Sequence, residues 1–473
     1  MPAVEKAESG RYTACDVHNE WDGKSTLQKE APGRMSPFII DVALDAARSG
    51  MLSIWEENWR TYGDLSRVVI GSQATYLVVH PDDVRYIVLD NRDNFIKGDS
   101  HKSARELLLG NGLFTSNGEM WKRQRRLMAP FFTPRGIMQF GDTMLKHGER
   151  MMARWDALAQ DGDYVDMPTE MMSITASIIL EAMFSVEEGH DIVRLKDALE
   201  YVLAFTAKRG FVPGIPLEIP TPANQKYKRA VQLLDEFVYG IINGRRDLPE
   251  AEWPDDLLSK LMRARDEETG EPMPDAIIRD EVFTAFFAGH ETTAKTLAFA
   301  WYSLARCPEH AERLFAEVDT VLGGKETLAL DDLKALAWTL YTLNETLRLY
   351  PAAPIYARDV LADDEIGGYH VPAGAIVSLS PYLTHRHPAF WEDPERFDPE
   401  RFLPENEEGR HPYAYHPFGG GPRICIGNNF ALMESHILMA MLARRFRAQL
   451  KPGHELRVTM MGTIEPVGGI PMR

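Results

Sequence analysis

Apolar residues recur along most of this chain at helical spacing. From Pro81 to about Tyr350 the i, i+3, i+4, i+7 pattern dominates and predicts a succession of amphipathic helices. One segment, about Asp275–Arg306, is apolar on most faces. At 1.5 Å per residue it would span on the order of 45 Å, and a helix without a polar face belongs inside the core. Gly289 interrupts it at a cost of roughly 1 kcal/mol against alanine and asks for a reason. Asp331–Tyr350 predicts another helix, capped by Asp331 and Asp332 and stopped by Pro351, and a last helix is predicted over about Asn428–Arg445. Elsewhere the pattern is that of strands. Arg67–Gly71 and Thr75–Val79 are β-branched and apolar about a Gly-Ser-Gln turn and read as a hairpin. Ile366–Leu379 reads as short strands around Gly-Gly and Pro-Ala-Gly turns, and Arg457–Arg473 as a terminal hairpin. Past Pro381 runs a proline-rich stretch without period, and so long an irregular segment in a compact protein usually has a function. The expected fold class is a mainly α body with a small β-rich part.

Composition narrows the function classes. The formal charge of −18 on 473 residues argues against nucleic acid, whose binding needs a basic field. The first 35 residues are polar and mixed in charge and read as a loose arm without a secretory signal. No run of about 18 apolar residues is present, so no membrane span is expected. The three cysteines, Cys15, Cys307 and Cys425, form no C-x-x-C pair, which excludes a disulfide framework or cysteine zinc site and fits a reducing, cytoplasmic compartment. Cys307 reads as a buried small hydrophobe.

Chemistry concentrates around Cys425. In Phe418-Gly-Gly-Gly421-Pro-Arg423-Ile-Cys425-Ile-Gly427, glycines, a proline and an arginine lead to a cysteine just before a predicted helix. Unpaired N–H groups and the positive end of a helix dipole both favour thiolate over thiol. A glycine-rich turn around a buried cysteine is the bland alternative. A dinucleotide loop is disfavoured, because the spacing is not G-x-G-x-x-G. The segment resembles the haem-binding signature F-x-x-G-x-R-x-C-x-G of the cytochrome P450 family at every fixed position. A chance match is on the order of one in ten thousand for a chain of this length. The resemblance implies haem b, with Cys425 as iron ligand, Arg423 on a propionate, Phe418 packed near the sulfur, and Gly427 and the loop glycines allowing a close approach of the flat ring. Thiolate ligation is the kind that favours O–O cleavage.

Other motifs agree. Ala288-Gly289-His290-Glu291-Thr292-Thr293 is similar to the family's oxygen-side pattern. It implies room at Ala288, proton delivery by Glu291 and a hydroxyl at Thr292 that holds water or bound oxygen species while opening a local groove in the helix. An ordinary polar patch, or an ion pair at Glu291, is the alternative; His290 is not expected to be a ligand. Glu345-Thr-Leu-Arg348 places opposite charges on one helical face, and Pro394-Glu395-Arg396-Phe397 is expected to supply the third member of a structural Glu-Arg-Arg cluster, with Phe402 following. Trp121-Lys-Arg-Gln-Arg125 is similar to the family's W-x-x-x-R, with both residues on a propionate; Arg358 and His385 are further propionate candidates.

The resemblance runs from about Leu52 to the end. It implies one catalytic domain over 36–473, β-rich near 60–80, 355–380 and 455–473 and helical over 81–350 and 428–447. It also implies a monooxygenase that inserts one oxygen atom of O2 into a C–H bond. Pocket segments expected at Leu107–Phe114, Leu203–Val212, Phe283, Phe286, Phe287, Ala352–Tyr356 and Met460–Ile464 are largely apolar, so the substrate should be a hydrophobic small molecule. The sequence looks nearer the fatty-acid-hydroxylating branch, with terpenoids, steroids or alkanes as other options. Electrons are expected from a ferredoxin or flavodoxin with its reductase, steered by Lys122, Arg123, Arg125 and Arg126. A peroxygenase or isomerase of the same fold, or a haem sensor or carrier, are the competing functions.

Overall fold

The computed structural model of the chain describes residues 13–14, 29–36, 50–70, 73–187, 192–211, 215–265, 270–460 and 462–473. Cys15, Gly71, Val212 and Met461, which entered the expectations above, lie outside the described residues. The longer helices are α1 Met51–Tyr62, α2 Gly118–Met128, α3 Gly141–Asp161, α4 Met167–Phe184, α5 Ile192–Phe211, α6 Pro222–Arg246, α7 Asp275–Arg306, α8 Pro308–Leu322, α9 Ala337–Leu349 and α10 Asn428–Arg445. No helix among the described residues is long and apolar enough to cross a membrane.

The central helix α7 has the bounds its pattern predicts, and Phe283, Phe299 and Trp301 along it are each no more than 1% exposed. It packs closely on α4, which explains Gly289: a Cβ there would stand 2.5 Å from Ile179 Cδ1. The Thr175 hydroxyl of α4 also donates to the His290 carbonyl at 2.9 Å, so the two backbones are tied at the same level. Close approach of helices needs a residue without a side chain, and the propensity cost of glycine is offset by the packing it permits.

The segment Asp331–Tyr350 is not one helix. A 3-10 stretch, Leu330–Ala335, ends at Leu336, and α9 starts at Ala337. The break has a tertiary cause. The Leu336 carbonyl accepts from His436 Nε2 at 2.9 Å, and the first amides of α9, Trp338 and Thr339, are capped by the Glu317 carboxylate of α8 at 2.6 and 2.9 Å. Asp332 caps only the 3-10 stretch, through the Ala329 amide at 3.0 Å.

The strands form one larger sheet in the order Thr13–Ala14, Gly33–Ser36, Leu65–Ile70, Gln73–Val78, Ile376–Leu379, Tyr356–Val360, Phe95–Ile96. Leu65–Ile70 and Gln73–Val78 make the expected hairpin, with Val68 opposite Thr75. Ile376–Leu379 then pairs parallel to Gln73–Val78, which joins the two β-rich parts of the chain. Gly33–Ser36 lies parallel to Leu65–Ile70 and Ala31 is buried, so the end of the arm enters the sheet rather than hanging free. Near the C-terminus Val458–Met460 pairs with Ile464–Pro466, whereas Pro471–Met472 leaves that hairpin and pairs with Val165–Asp166.

Candidate active site

The loop before α10 is closed by the Cys425 amide, which donates to the Phe418 carbonyl at 2.9 Å; Phe418 itself is half-buried. Gly421 has φ +61°, and a Cβ there would strike the Val88 carbonyl oxygen at 1.9 Å. Gly420 and Gly421 thus pack against Val88 of the Tyr86–Asp90 segment, whereas a Cβ at Gly419 would meet nothing within 4 Å. Cys425 stands at the end of the loop, and α10 begins at Asn428. Burial in protein raises the thiol above the ordinary cysteine range; the Gly427 amide, which hydrogen-bonds the sulfur, and Arg125 and Lys97, which act on it electrostatically, oppose that rise without cancelling it. The sulfur lies deep within the protein, yet Cys425 is open to solvent-sized space. A residue both deep and open lines an internal void.

Around that sulfur stand Lys97, Arg125, Arg358 and Arg423: Lys97 and Arg125 interact electrostatically with Cys425, Arg358 acts on Lys97 and Arg423, and Arg358 itself is influenced by Tyr356 and Asp359. Burial lowers the affinity of all four for their protons, and Arg423 is pushed down to about 10. Among the described residues no carboxylate lies within salt-bridge distance of any of them. Arg423 donates to the Ser116 carbonyl and Asn117 Oδ1, each at 2.8 Å, and stacks on the Trp121 ring at 4.2 Å. Lys97 Nζ donates to the Phe114 carbonyl at 2.7 Å, and Arg358 reaches the Ala357 carbonyl at 2.7 Å. Lys97 and Arg358 are buried and Arg125 and Arg423 half-buried, and burying a cation without a counter-charge costs several kcal/mol, so this cluster calls for an anionic guest. A flat macrocycle carrying two carboxylates would suit this set of donors, with Cys425 available to hold its metal.

Lys97 carries no sequence signal in Phe95-Ile96-Lys97-Gly98. Its place is set by Asn117, whose amide donates to the Lys97 carbonyl at 2.6 Å while its Oδ1 receives the Lys97 amide and Arg423. His101 joins the same group and is held neutral by burial and by Lys97 and Arg358.

On α7, Ala288 is open although Phe286 and His290 on either side are buried. That opening and the one at Cys425 are the surfaces a ligand sandwiched between helix and loop would cover. Phe283 and Phe286 are 1% and 5% exposed and belong to the core; Phe286 stacks on His290 with 5.0 Å between ring centres, and Phe287 is half-buried. Thr292 does not open a groove: its hydroxyl donates to the Ala288 carbonyl at 2.7 Å, one turn back, and α7 stays regular. Glu291 is buried, which raises its proton affinity, and it accepts from Thr463 at 2.6 Å.

His385 is no propionate ligand. It is fully buried, its Nδ1 bonds the Arg348 carbonyl at 3.1 Å and its Nε2 accepts the His416 amide at 2.8 Å, so both ring nitrogens are spent. Nor does Arg396 complete the Glu345–Arg348 cluster. The chain carries Pro-Glu-Arg-Phe twice, at 394–397 and 399–402, and the second copy supplies the arginine. Arg401 Nε lies 3.5 Å from Glu345 Oε1, whereas the Arg396 side chain is 64% exposed and pairs with Asp398. Arg348 grips Glu345 through two bonds of 2.7 and 2.8 Å and ties the His385, Pro394 and Arg396 carbonyls.

Comparison with known proteins agrees with this geometry. The family model described as Cytochrome P450 matches residues 32–467. Cyclooctatin synthase of Streptomyces melanosporofaciens is 34% identical, with 84% of this chain and 85% of that protein covered. Cyclooctat-9-en-7-ol 5-monooxygenase of the same organism is 36% identical, with 84% of each covered. Pentalenene oxygenase of Streptomyces avermitilis is 33% identical over 85% of this chain and 88% of its own length. Among solved structures, the cytochrome P450DA heme domain superposes with a TM-score of 0.81 at 30% identity, covering 89% of this chain and 92% of that one. A deep thiol before a helix, a group of cations without carboxylate partners and a helix open at Ala288 therefore belong to a member of the cytochrome P450 family, a monooxygenase whose cofactor is haem.

Proposed function

We propose that this enzyme oxygenates a C–H bond of an apolar, terpenoid-sized molecule, with Cys425 as the iron ligand and Lys97, Arg125, Arg358 and Arg423, with Trp121 beneath Arg423, as the propionate cradle. The observation that carries the site is the open, deeply placed Cys425 within a cluster of cations that lack carboxylate partners. Haem, when bound, supplies the oxygen and redox chemistry. The protein does the rest. Ala288 leaves space on the helix face. The Thr292 hydroxyl, parked on a carbonyl, is free to rotate toward a guest. Glu291, buried and inclined to keep its proton, is the donor behind it.

Two observations support an uncharged substrate. Arg279 is engaged with Asp235 and Asp280, and Arg209 with the Ile215 carbonyl and Asn224, so neither is at hand to anchor a carboxylate. Two of the relatives, too, are named as oxygenases, cyclooctat-9-en-7-ol 5-monooxygenase and pentalenene oxygenase, and a third is named cyclooctatin synthase. Electrons come from a separate ferredoxin or flavodoxin in the cytoplasm, docking on the basic face of α2 around Lys122, Arg123 and Arg126.

The test is optical. The reduced, carbon-monoxide-bound protein is expected to show the red-shifted thiolate band, and Cys425→His to lose it. A screen of sesquiterpene and diterpene hydrocarbons against dodecanoic acid is then read by the low- to high-spin shift of the haem. A shift with dodecanoic acid alone overturns the terpenoid reading in favour of a fatty acid.

A further inference from the structure

Glu291 is joined to a second carboxylate. Thr463, in the turn of the C-terminal hairpin, donates its hydroxyl to Glu291 Oε1 at 2.6 Å and stands 3.3 Å from Glu465 Oε1. A hydroxyl has one proton and two lone pairs, so it donates to one carboxyl while accepting from the other. Lys295, one turn beyond Glu291 on α7, pairs with the remaining Glu465 oxygen at 2.5 Å. Exposure is graded along this chain of groups. Glu291 is 8% and Thr463 5% exposed, the Lys295 side chain 5%, and the Glu465 side chain 28%. Glu465 is the member that meets water.

The charges facing Glu291 and Glu465 are Lys295 from α7, each other, and Glu200 from α5. One ammonium against Glu291 and Glu465 leaves a negative charge in excess even before Glu200 is counted, in surroundings where an unpaired charge is costly. A single proton shared between the two carboxyls removes that excess.

We propose that Glu465, acting through Thr463, is the solvent-side proton supply of Glu291, with Lys295 fixing its position. This rests on the reading of Glu291 as proton donor to the oxygen side. When Glu291 has given up its proton, protonated Glu465 transfers its own to Thr463 Oγ1 as Thr463 releases its hydroxyl proton to the Glu291 carboxylate. One O–H bond forms and one breaks at Thr463, no electrons change hands, and Glu465, left as carboxylate, is reprotonated from water. Glu465 is the supply residue and Lys295 a positioning residue, since Glu465 acts through Thr463 and Lys295 through Glu465.

The haem-loaded enzyme and its Glu465→Gln, Thr463→Val, Thr463→Ser and Glu291→Gln variants test this in two ways. In infrared difference spectra across pH, Glu465→Gln should move the protonated-carboxyl band of Glu291 to lower pH, because its negative neighbour is gone. In oxygen consumption driven by a surrogate ferredoxin and reductase, with a sesquiterpene hydrocarbon as probe, Thr463→Val and Glu465→Gln should slow turnover by about tenfold. The loss should be larger at pH 8 than at pH 6, and haem content and probe affinity should be unchanged. Thr463→Ser, which keeps the hydroxyl, should behave as wild type. Wild-type turnover, pH profile and infrared titration in Glu465→Gln, with Glu291→Gln slow, would overturn the supply route and leave the role of Glu291 standing. Unchanged turnover in Glu291→Gln would remove that underlying role itself. Equal slowing by Thr463→Ser and Thr463→Val would reduce Thr463 to packing and also overturn the route.

Discussion

Thr292 shows how a residue can be structurally ordinary and chemically placed. At rest its proton is satisfied by the Ala288 carbonyl, and it sits half-exposed on a helix whose neighbouring faces are buried. Thr292→Ala removes the hydroxyl and the γ-methyl of a half-buried residue. Its expected effect is on the fate of electrons: roughly tenfold less product per reduced nicotinamide consumed, with hydrogen peroxide making up the difference. Coupling at the wild-type ratio would exclude the protonation role. At this scale the candidate site was legible in the sequence wherever it depends on local geometry. Cys425, Arg423 and Gly427 lie within a few residues of one another, and so do Ala288, Glu291 and Thr292. Lys97 was invisible, because nothing in its own segment marks it; Asn117 and Phe114, 20 and 17 residues away, create its environment. His385 was misread for the same reason in reverse. The carbonyl and amide that occupy its ring come from Arg348 and His416, 37 and 31 residues distant.

Among the elements, the repeated Pro-Glu-Arg-Phe makes a clean comparison. Both copies are chemically alike, and only the fold tells them apart. The first puts its arginine in solvent on Asp398, and the second turns Arg401 toward the buried Glu345. A surface pair contributes at most about 1 kcal/mol, whereas breaking a buried network costs about 3–5 kcal/mol because a charge is left without partners. Arg396→Ala is therefore expected to purify with wild-type haem content. Arg401→Ala should retain substantially less haem and melt at lower temperature. Haem-to-protein absorbance ratios measure both, and equal losses in the two variants would refute the assignment. Helix bounds follow the same division. The bounds of α7 and α10 follow from continuous local patterning, while the break at Leu336 comes from Glu317 and His436 on other helices.

At the scale of the molecule, the loop 110–116 is held to α7 by carboxylates. The Asn111 amide donates to Asp280 at 2.8 Å and the Leu113 amide to Glu281 at 3.0 Å. Glu281 is fully buried, and its pKa is pushed up from 4.5 to about 8 by that burial, against the Leu113 amide, which favours the carboxylate. The folded protein thus holds a proton that the unfolded chain releases near pH 4.5. This contribution to stability is complete below that pH and is lost as pH rises through about 8. Glu281→Gln keeps an acceptor for Leu113 without the charge. Relative to wild type, its melting temperature should gain by about 2 °C or more between pH 6 and pH 8.5 in parallel scans. An unchanged difference would show that Glu281 does not titrate in this range.

By itself, the amino-acid order determined the helical class, the long core helix and the cysteine loop. Each depends on periodicity or on residues within one turn of each other, where backbone sterics and local hydrogen bonds act alone. Tertiary structure decided which arginine meets Glu345, why His385 is unavailable, that Lys97 joins the cation cluster, and that Thr463 and Glu465 stand behind Glu291. Those choices are made by burial. An ionisable group acquires its role only when distant segments exclude water around it and supply, or withhold, its partners.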